Sequence, residues 1–67
     1  MEQSAVKVID PDSGGEAWVL TRLTTNAVGL ALTIEKGGDL EVFLPASAAL
    51  EVASALTAAA RALESER

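Results

Sequence analysis

The chain has 67 residues, of which 49% are hydrophobic, ten are acidic and five are basic, so its formal net charge is −5. A chain of this length forms one domain and buries only about 60% of the surface that its unfolded form exposes, so its stability is marginal unless disulfides, a metal or oligomerisation contribute. Because the sequence contains neither cysteine nor histidine, it excludes a disulfide and a typical zinc site. Oligomerisation remains, and we expect a homodimer.

The charge distribution and the lack of targeting features argue against two kinds of partner, nucleic acids and membranes. The basic residues are scattered along the chain: Lys7, Arg22, Lys36, Arg61 and Arg67. The negative net charge repels a phosphate backbone, which disfavours nucleic acid as a partner. No apolar run reaches the roughly 18 to 20 residues of a membrane span, and the N-terminal residues lack the pattern of a signal peptide. We therefore expect no membrane partner, and the lack of cysteine fits a cytoplasmic location.

Residues 1–16 are predicted to form a short strand and an acidic loop. The segment SAVKVI has the β-branched alternation of a strand. In the following DPDSGGE, Pro11 fixes φ, the flanking aspartates can accept hydrogen bonds from nearby backbone, and Gly14 and Gly15 allow positive φ. The acids match neither the spacing of an EF-hand nor that of a P-loop. We interpret the segment as a strand and a plain loop that is free to be mobile.

Residues 17–67 are predicted to form the core of the single domain, beginning with three strands in AWVLTRLTT, VGLALTIE and LEVFL. For the second hairpin, a three-residue loop of Lys36, Gly37 and Gly38 places Ile34 opposite Leu40 and keeps one face apolar, whereas a two-residue loop does not. Gly38 then takes the left-handed conformation that such a loop requires.

The first hairpin allows two registers. A tight turn at Asn26-Ala27 leaves Trp18 and Leu20 on the second sheet face beside Phe43, and a loop longer by one residue exchanges the two sets of side chains. Both registers leave large apolar residues on this second face. Such a patch either marks a contact surface or is covered by the N-terminal segment or the loop.

The last segment is predicted to be a helix that begins near Pro45 or Ser47 and runs toward Ser65. At 100° per residue, one apolar stripe forms, which we expect to pack on the sheet: Ala49, Val52, Ala53, Leu56, Ala59, Ala60 and Leu63. The predicted buried core combines strand and helix residues: Leu30, Leu32, Ile34, Leu40, Val42, Leu56 and Leu63.

A second strip on this helix consists of small residues. Ala48, Ala55 and Ala62 recur at seven-residue spacing, which lets another helix approach closely. The alternative is that alanine, the best helix former, covers a solvated surface. The predicted interaction surface consists of this strip and three residues of the sheet: Trp18, Leu20 and Phe43.

The predicted fold class is therefore α+β, with a small antiparallel sheet of three to four strands followed by one C-terminal helix packed on one sheet face. The layout of residues 17–64 resembles that of the PC4-type transcriptional coactivators, which bind single-stranded DNA and whose protomers pair through sheet and helix. The resemblance includes no specific motif. Arg22 and Lys36 are the only basic residues between Trp18 and Ala60, so we transfer no DNA-binding residues to this chain.

The side-chain inventory argues against an enzyme. The chain has no histidine, cysteine or tyrosine, so carboxylates and hydroxyls are the remaining catalytic candidates, and its acids are typical of solvated turns and strand surfaces. No partner base is available to activate a serine. We predict no catalytic residue, no metal and no cofactor.

Two functions remain after enzymes are set aside. The first is a homodimeric protein-interaction module that acts as a regulator or inhibitor by masking a site on a larger protein. The alternative is a dimer that binds a nucleotide or another small molecule, with Arg22, Lys36 and the backbone amides of Gly37 and Gly38 as anion contacts.

Overall fold

Four antiparallel strands and one helix make up the computed structural model, which describes residues 3–35 and 37–66. The elements are β1 (Gln3–Ile9), β2 (Glu16–Leu23), β3 (Val28–Ile34), β4 (Gly38–Leu44) and α1 (Ala46–Ser65). The strand order in the sheet is β1-β2-β3-β4, so each strand pairs with its neighbours in sequence. The predicted α+β class is confirmed, with four strands, and the predicted N-terminal strand is an edge of the sheet.

The loop between β1 and β2 is held by its own hydrogen bonds. The Asp10 carboxylate accepts a hydrogen bond from the Asp12 backbone N–H at 2.8 Å, and the Gly14 N–H donates to the Asp10 carbonyl at 2.7 Å. Gly14 has a φ of 77°, which a residue with a side chain rarely adopts. The predicted roles of Asp10 as an acceptor and of Gly14 as a residue with positive φ are confirmed.

The β2–β3 turn lies one residue earlier than predicted. The Thr24 N–H donates to the Ala27 carbonyl at 2.9 Å, so the two turn residues are Thr25 and Asn26 rather than Asn26 and Ala27. The Thr24 hydroxyl adds a second bond by accepting from the Ala27 N–H at 3.0 Å. A threonine side chain that bonds its own turn favours this position.

The β3–β4 connection is also displaced by one residue. Ile34 pairs with Gly38 and Leu32 with Leu40, so the predicted pairing of Ile34 with Leu40 is wrong by two residues. The predicted loop length of three residues is correct, and Gly38 has a φ of 87°, as the sequence indicated. Lys36 lies outside the described residues.

Strand registers divide the sheet into two chemically different faces, because residues that pair directly point to the same side. We call the first the apolar face; its described residues are Ser4, Val6, Val8, Ala17, Val19, Thr21, Leu23, Val28, Leu30, Leu32, Ile34, Gly38, Leu40, Val42 and Leu44. We call the second the charged face; its described residues are Gln3, Ala5, Lys7, Ile9, Glu16, Trp18, Leu20, Arg22, Gly29, Ala31, Thr33, Asp39, Glu41 and Phe43. Every charged residue of the described strands lies on the charged face.

Helix α1 does not pack on the sheet of its own chain, which corrects the prediction. It begins one residue after β4, with Pro45 as its N-cap, and not at Ser47. Of its residues only Ala48 and Ala49 are half-buried, while Leu56 and Leu63 are 66% and 68% exposed. The amphipathic pattern correctly predicted a helix, but the short connection carries α1 beyond β4 instead of back across the sheet.

The predicted core consequently does not form within one chain. Among residues 3–35 and 37–66 only Gly29 is buried, and no hydrophobic side chain is. The accessible surface is 5500 Å², whereas a folded monomer of 6.9 kDa exposes about 4,000 Å². The radius of gyration is 13.4 Å, compared with about 11 Å for a compact domain of this length. The chain is an open sheet with a projecting helix.

Candidate interaction surfaces

At one end of the charged face, Arg22, Glu41 and Phe43 form a cluster across the central strand β3. The Arg22 guanidinium donates two hydrogen bonds to the Glu41 carboxylate, from Nε at 3.0 Å and from a terminal nitrogen at 3.1 Å. The same guanidinium lies 5.3 Å from the centre of the Phe43 ring. The cluster therefore combines a bidentate ion pair with a cation–π contact.

Gly29 explains why these side chains can meet. Arg22 on β2 and Phe43 on β4 are paired with Gly29 on opposite sides of β3. A Cβ at Gly29 would lie 3.1 Å from Arg22 Cγ and 3.2 Å from Phe43 Cε1, closer than side chains normally approach. The missing side chain opens the space through which the arginine reaches the ring.

A second cluster of the same composition lies at the other end of the charged face. Lys7 Nζ lies 3.2 Å from the Glu16 carboxylate and 5.9 Å from the centre of the Trp18 ring. Each cluster thus pairs one cation with one carboxylate and one aromatic ring. Both ion pairs are largely solvent-exposed, so each contributes only about 0.2–1 kcal/mol to stability.

The predicted anion contacts do not come together within one chain. Arg22 pairs with Gly29 at the start of β3, and Gly38 pairs with Ile34 at its end. These ends are about 17 Å apart at the usual rise per strand residue. Arg22 is also engaged by Glu41, which an incoming phosphate would have to displace. Small-molecule binding stays a prediction.

The predicted interaction residues fall into two groups. Trp18, Leu20 and Phe43 share the charged face, as the tight-turn register predicted. Ala48, Ala55 and Ala62 lie on α1, where Ala48 is half-buried and the other two are exposed. The role of both groups in binding stays a prediction.

Sequence reasoning missed Gly29 and the partners of the two cations. Arg22, Trp18 and Leu20 have the same parity in β2, and Glu41 and Phe43 have the same parity in β4. Alternation along each strand, together with the tight-turn register, could therefore have placed Arg22 and Glu41 on one face. The pairing of Arg22 with Gly29 needs the exact register, which was predicted two residues away.

The apolar face is a second candidate surface. Leu40 is 68% exposed, and Leu32, Ile34 and Val42 are also exposed. Its two hydroxyl groups, Ser4 Oγ and Thr21 Oγ1, are 2.6 Å apart and hydrogen-bonded to each other. Because each hydroxyl already takes part in a hydrogen bond, covering this face with another apolar surface costs less than burying two unpaired hydroxyls would.

Neither a metal site nor a membrane-crossing helix is found in the described parts of the chain. Among residues 3–35 and 37–66, no three carboxylates come close enough together to hold a metal ion. Within the same residues, no helix combines the length and apolarity needed to cross a membrane.

Comparisons with protein-family models, with curated proteins and with solved structures found no match for this chain.

Proposed function

We propose that the protein is a homodimeric protein-interaction module that binds a larger protein through the charged face of its sheet and regulates that protein by masking a site on it. The observation that carries the proposal is the separation of the two sheet faces. The apolar face has the composition of a surface that is buried, and the charged face has the composition of one that recognises a partner.

The uncovered apolar surface supports the proposal of a dimer. The chain exposes about 1,500 Å² more than a folded monomer of its mass. Soluble monomers rarely expose apolar patches larger than a few hundred Å². Pairing of two copies is the commonest way in which a small chain covers such a surface.

The charged face supplies the residue types that dominate protein interfaces. Trp18, Phe43 and Arg22 belong to the types that are enriched where binding energy concentrates. They lie on strands of a sheet, so their backbone is already ordered and little conformational entropy is lost when a partner binds. Each cation already has a carboxylate beside it, which favours a partner with mixed polar and apolar chemistry over a phosphate backbone.

The test compares variants that leave the dimer seam untouched. Parent protein, Phe43→Lys and Leu50→Lys are each immobilised and exposed to extract of the native cell. We expect the parent and Leu50→Lys to retain the same protein and Phe43→Lys to lose it, because Leu50 lies on the helix and is 72% exposed. With the purified partner, Phe43→Lys should raise Kd by about 30-fold or more if it removes a central contact worth at least 2 kcal/mol.

Trp18, the only tryptophan in the chain, provides a direct optical readout. Its emission should change when the partner binds the parent. Equal retention by Phe43→Lys and the parent would contradict the proposal. So would a melting temperature raised by a nucleotide in the parent and not in Arg22→Ala, which would support small-molecule binding instead.

A further inference from the structure

Each chain has two apolar surfaces that its own fold leaves uncovered. One is the apolar face of the sheet; the other is the stripe on α1 that carries Val52, Leu56 and Leu63, which we call the helix stripe. We propose that α1 of each protomer lies on the apolar face of its partner, so that two copies exchange helices and close a two-fold dimer. This inference rests on the proposed homodimer and specifies its seam.

The β4–α1 junction prevents α1 from covering its own sheet. β4 ends at Leu44 and α1 begins at Ala46, so Pro45 alone connects them, with φ −64° and ψ 160°. Packed layers are separated by about 10 Å, and one extended residue spans at most about 3.6 Å. The proline also fixes φ. The helix stripe therefore does not contact the sheet of its own chain and is free to contact a second copy.

The dimensions of the two surfaces match. A helix of 20 residues is about 30 Å long, and strands of 7 to 8 residues are about 24 to 27 Å long. One helix therefore spans the full length of one sheet. The alanines that flank the helix stripe allow α1 to lie close to the sheet.

Chemical character matches as well. Among the described strand residues, none with a charge lies on the apolar face. The charged residues Glu51 and Arg61 and the polar residues Ser47 and Ser54 project from α1 on the side away from the helix stripe, at 100° per residue. A helix that rests its stripe on the partner's sheet therefore keeps these residues in water.

The area agrees with a permanent dimer. Two chains with about 1,500 Å² of surplus surface each can bury about 3,000 Å² together, within the 2,000 to 5,000 Å² of obligate homodimers. Stacking of two sheets alone would leave both helix stripes exposed, and pairing of two helices alone would leave both sheets exposed. Reciprocal exchange covers all four surfaces and leaves none to propagate further assembly.

The test uses cysteines placed in a chain that has none. A Leu32→Cys chain and a Leu56→Cys chain with different tags are co-expressed, purified together and treated with a short bis-maleimide. The matched control replaces Leu56→Cys by Leu50→Cys, which lies about 120° away around the helix. We expect linkage between positions 32 and 56 at least about tenfold above the control, because contact raises the effective thiol concentration from micromolar to about millimolar.

Other linkage patterns would overturn the helix exchange. They are a dominant 32–32 product, a dominant 56–56 product, equal linkage in the control, or no linked product in a sample that light scattering shows to be dimeric. A parent protein that is a folded monomer would overturn the proposed dimer as well, so the two failures are distinguishable.

A measurement on the parent sequence protects the test against cysteine variants that do not fold. In a mixture of isotope-labelled and unlabelled chains, we expect nuclear Overhauser contacts between protomers that join methyl groups of Val52, Leu56 or Leu63 to those of Leu32, Leu40 or Val42. Contacts between protomers that join only sheet to sheet, or only helix to helix, would contradict the exchange.

Discussion

Single glycines decide two local features of this molecule, for different reasons. Gly38 provides a backbone conformation, with φ 87° and open space where a Cβ would stand. Gly29 provides room, because a Cβ there would crowd Arg22 and Phe43. The role of Gly38 depends on its own backbone conformation, whereas the role of Gly29 depends on the side chains beside it.

Replacing Gly38 by alanine should therefore destabilise the protein through the backbone alone. We expect a loss of about 1–2 kcal/mol, the cost of a left-handed residue with a Cβ. Gly15→Ala is the control, because Gly15 is not among the glycines with positive φ and a Cβ there would make ordinary contacts, 3.5 Å from Ser13 Oγ. Urea unfolding of both variants at one chain concentration measures the difference. Equal midpoints would show that the β3–β4 turn does not require a left-handed residue.

These two glycines also show what could be predicted from the sequence at this scale. The role of Gly38 follows from local turn chemistry, so it was predicted correctly although the strand register was not. The role of Gly29 depends on which residues of β2 and β4 lie beside it. That information is not local, and the sequence alone indicated only a glycine within a strand.

Among the elements, the strands were easier to predict than their exact pairing. Both predicted turns lie one residue too late, which shifts each register by two residues. Because side chains alternate with a period of two, a shift of two leaves every residue on its predicted face. Trp18, Leu20 and Phe43 therefore share a face as predicted.

For helix α1, the element was predicted but the surface that it packs against was not. The helix itself was predicted correctly, but the packing of Val52, Leu56 and Leu63 on the sheet of the same chain was not. An amphipathic pattern states that one side of a helix is buried and does not state which chain buries it. The missing information lies in the one-residue connection at Pro45.

Two leucines of α1 offer a matched test of this element. Leu56 and Leu50 are 66% and 72% exposed in the single chain, and replacement of either by alanine changes helix propensity equally. If the helix stripe is covered by a second copy, Leu56→Ala should lose about 2–5 kcal/mol and Leu50→Ala no more than about 0.5 kcal/mol. Unfolding in urea at a fixed chain concentration measures both losses. Similar losses in the two variants would mean that the helix stripe is not buried in the native assembly.

On the scale of the whole molecule, the main feature is the open shape of the single chain. The chain forms a four-stranded sheet and a long helix, yet among its described residues no hydrophobic side chain is buried. Hydrophobic burial is the main favourable term in folding. A single chain that lacks it has little to offset the entropy lost on ordering its backbone. We therefore expect the stable unit to contain more than one chain.

The mass of the parent protein in solution tests this claim most directly. Sedimentation or light scattering from low to high micromolar concentration should give twice the chain mass of 6.9 kDa, and dissociation on further dilution should be accompanied by loss of helical circular dichroism. A species of 6.9 kDa that keeps its helix and unfolds cooperatively across that range would contradict the account.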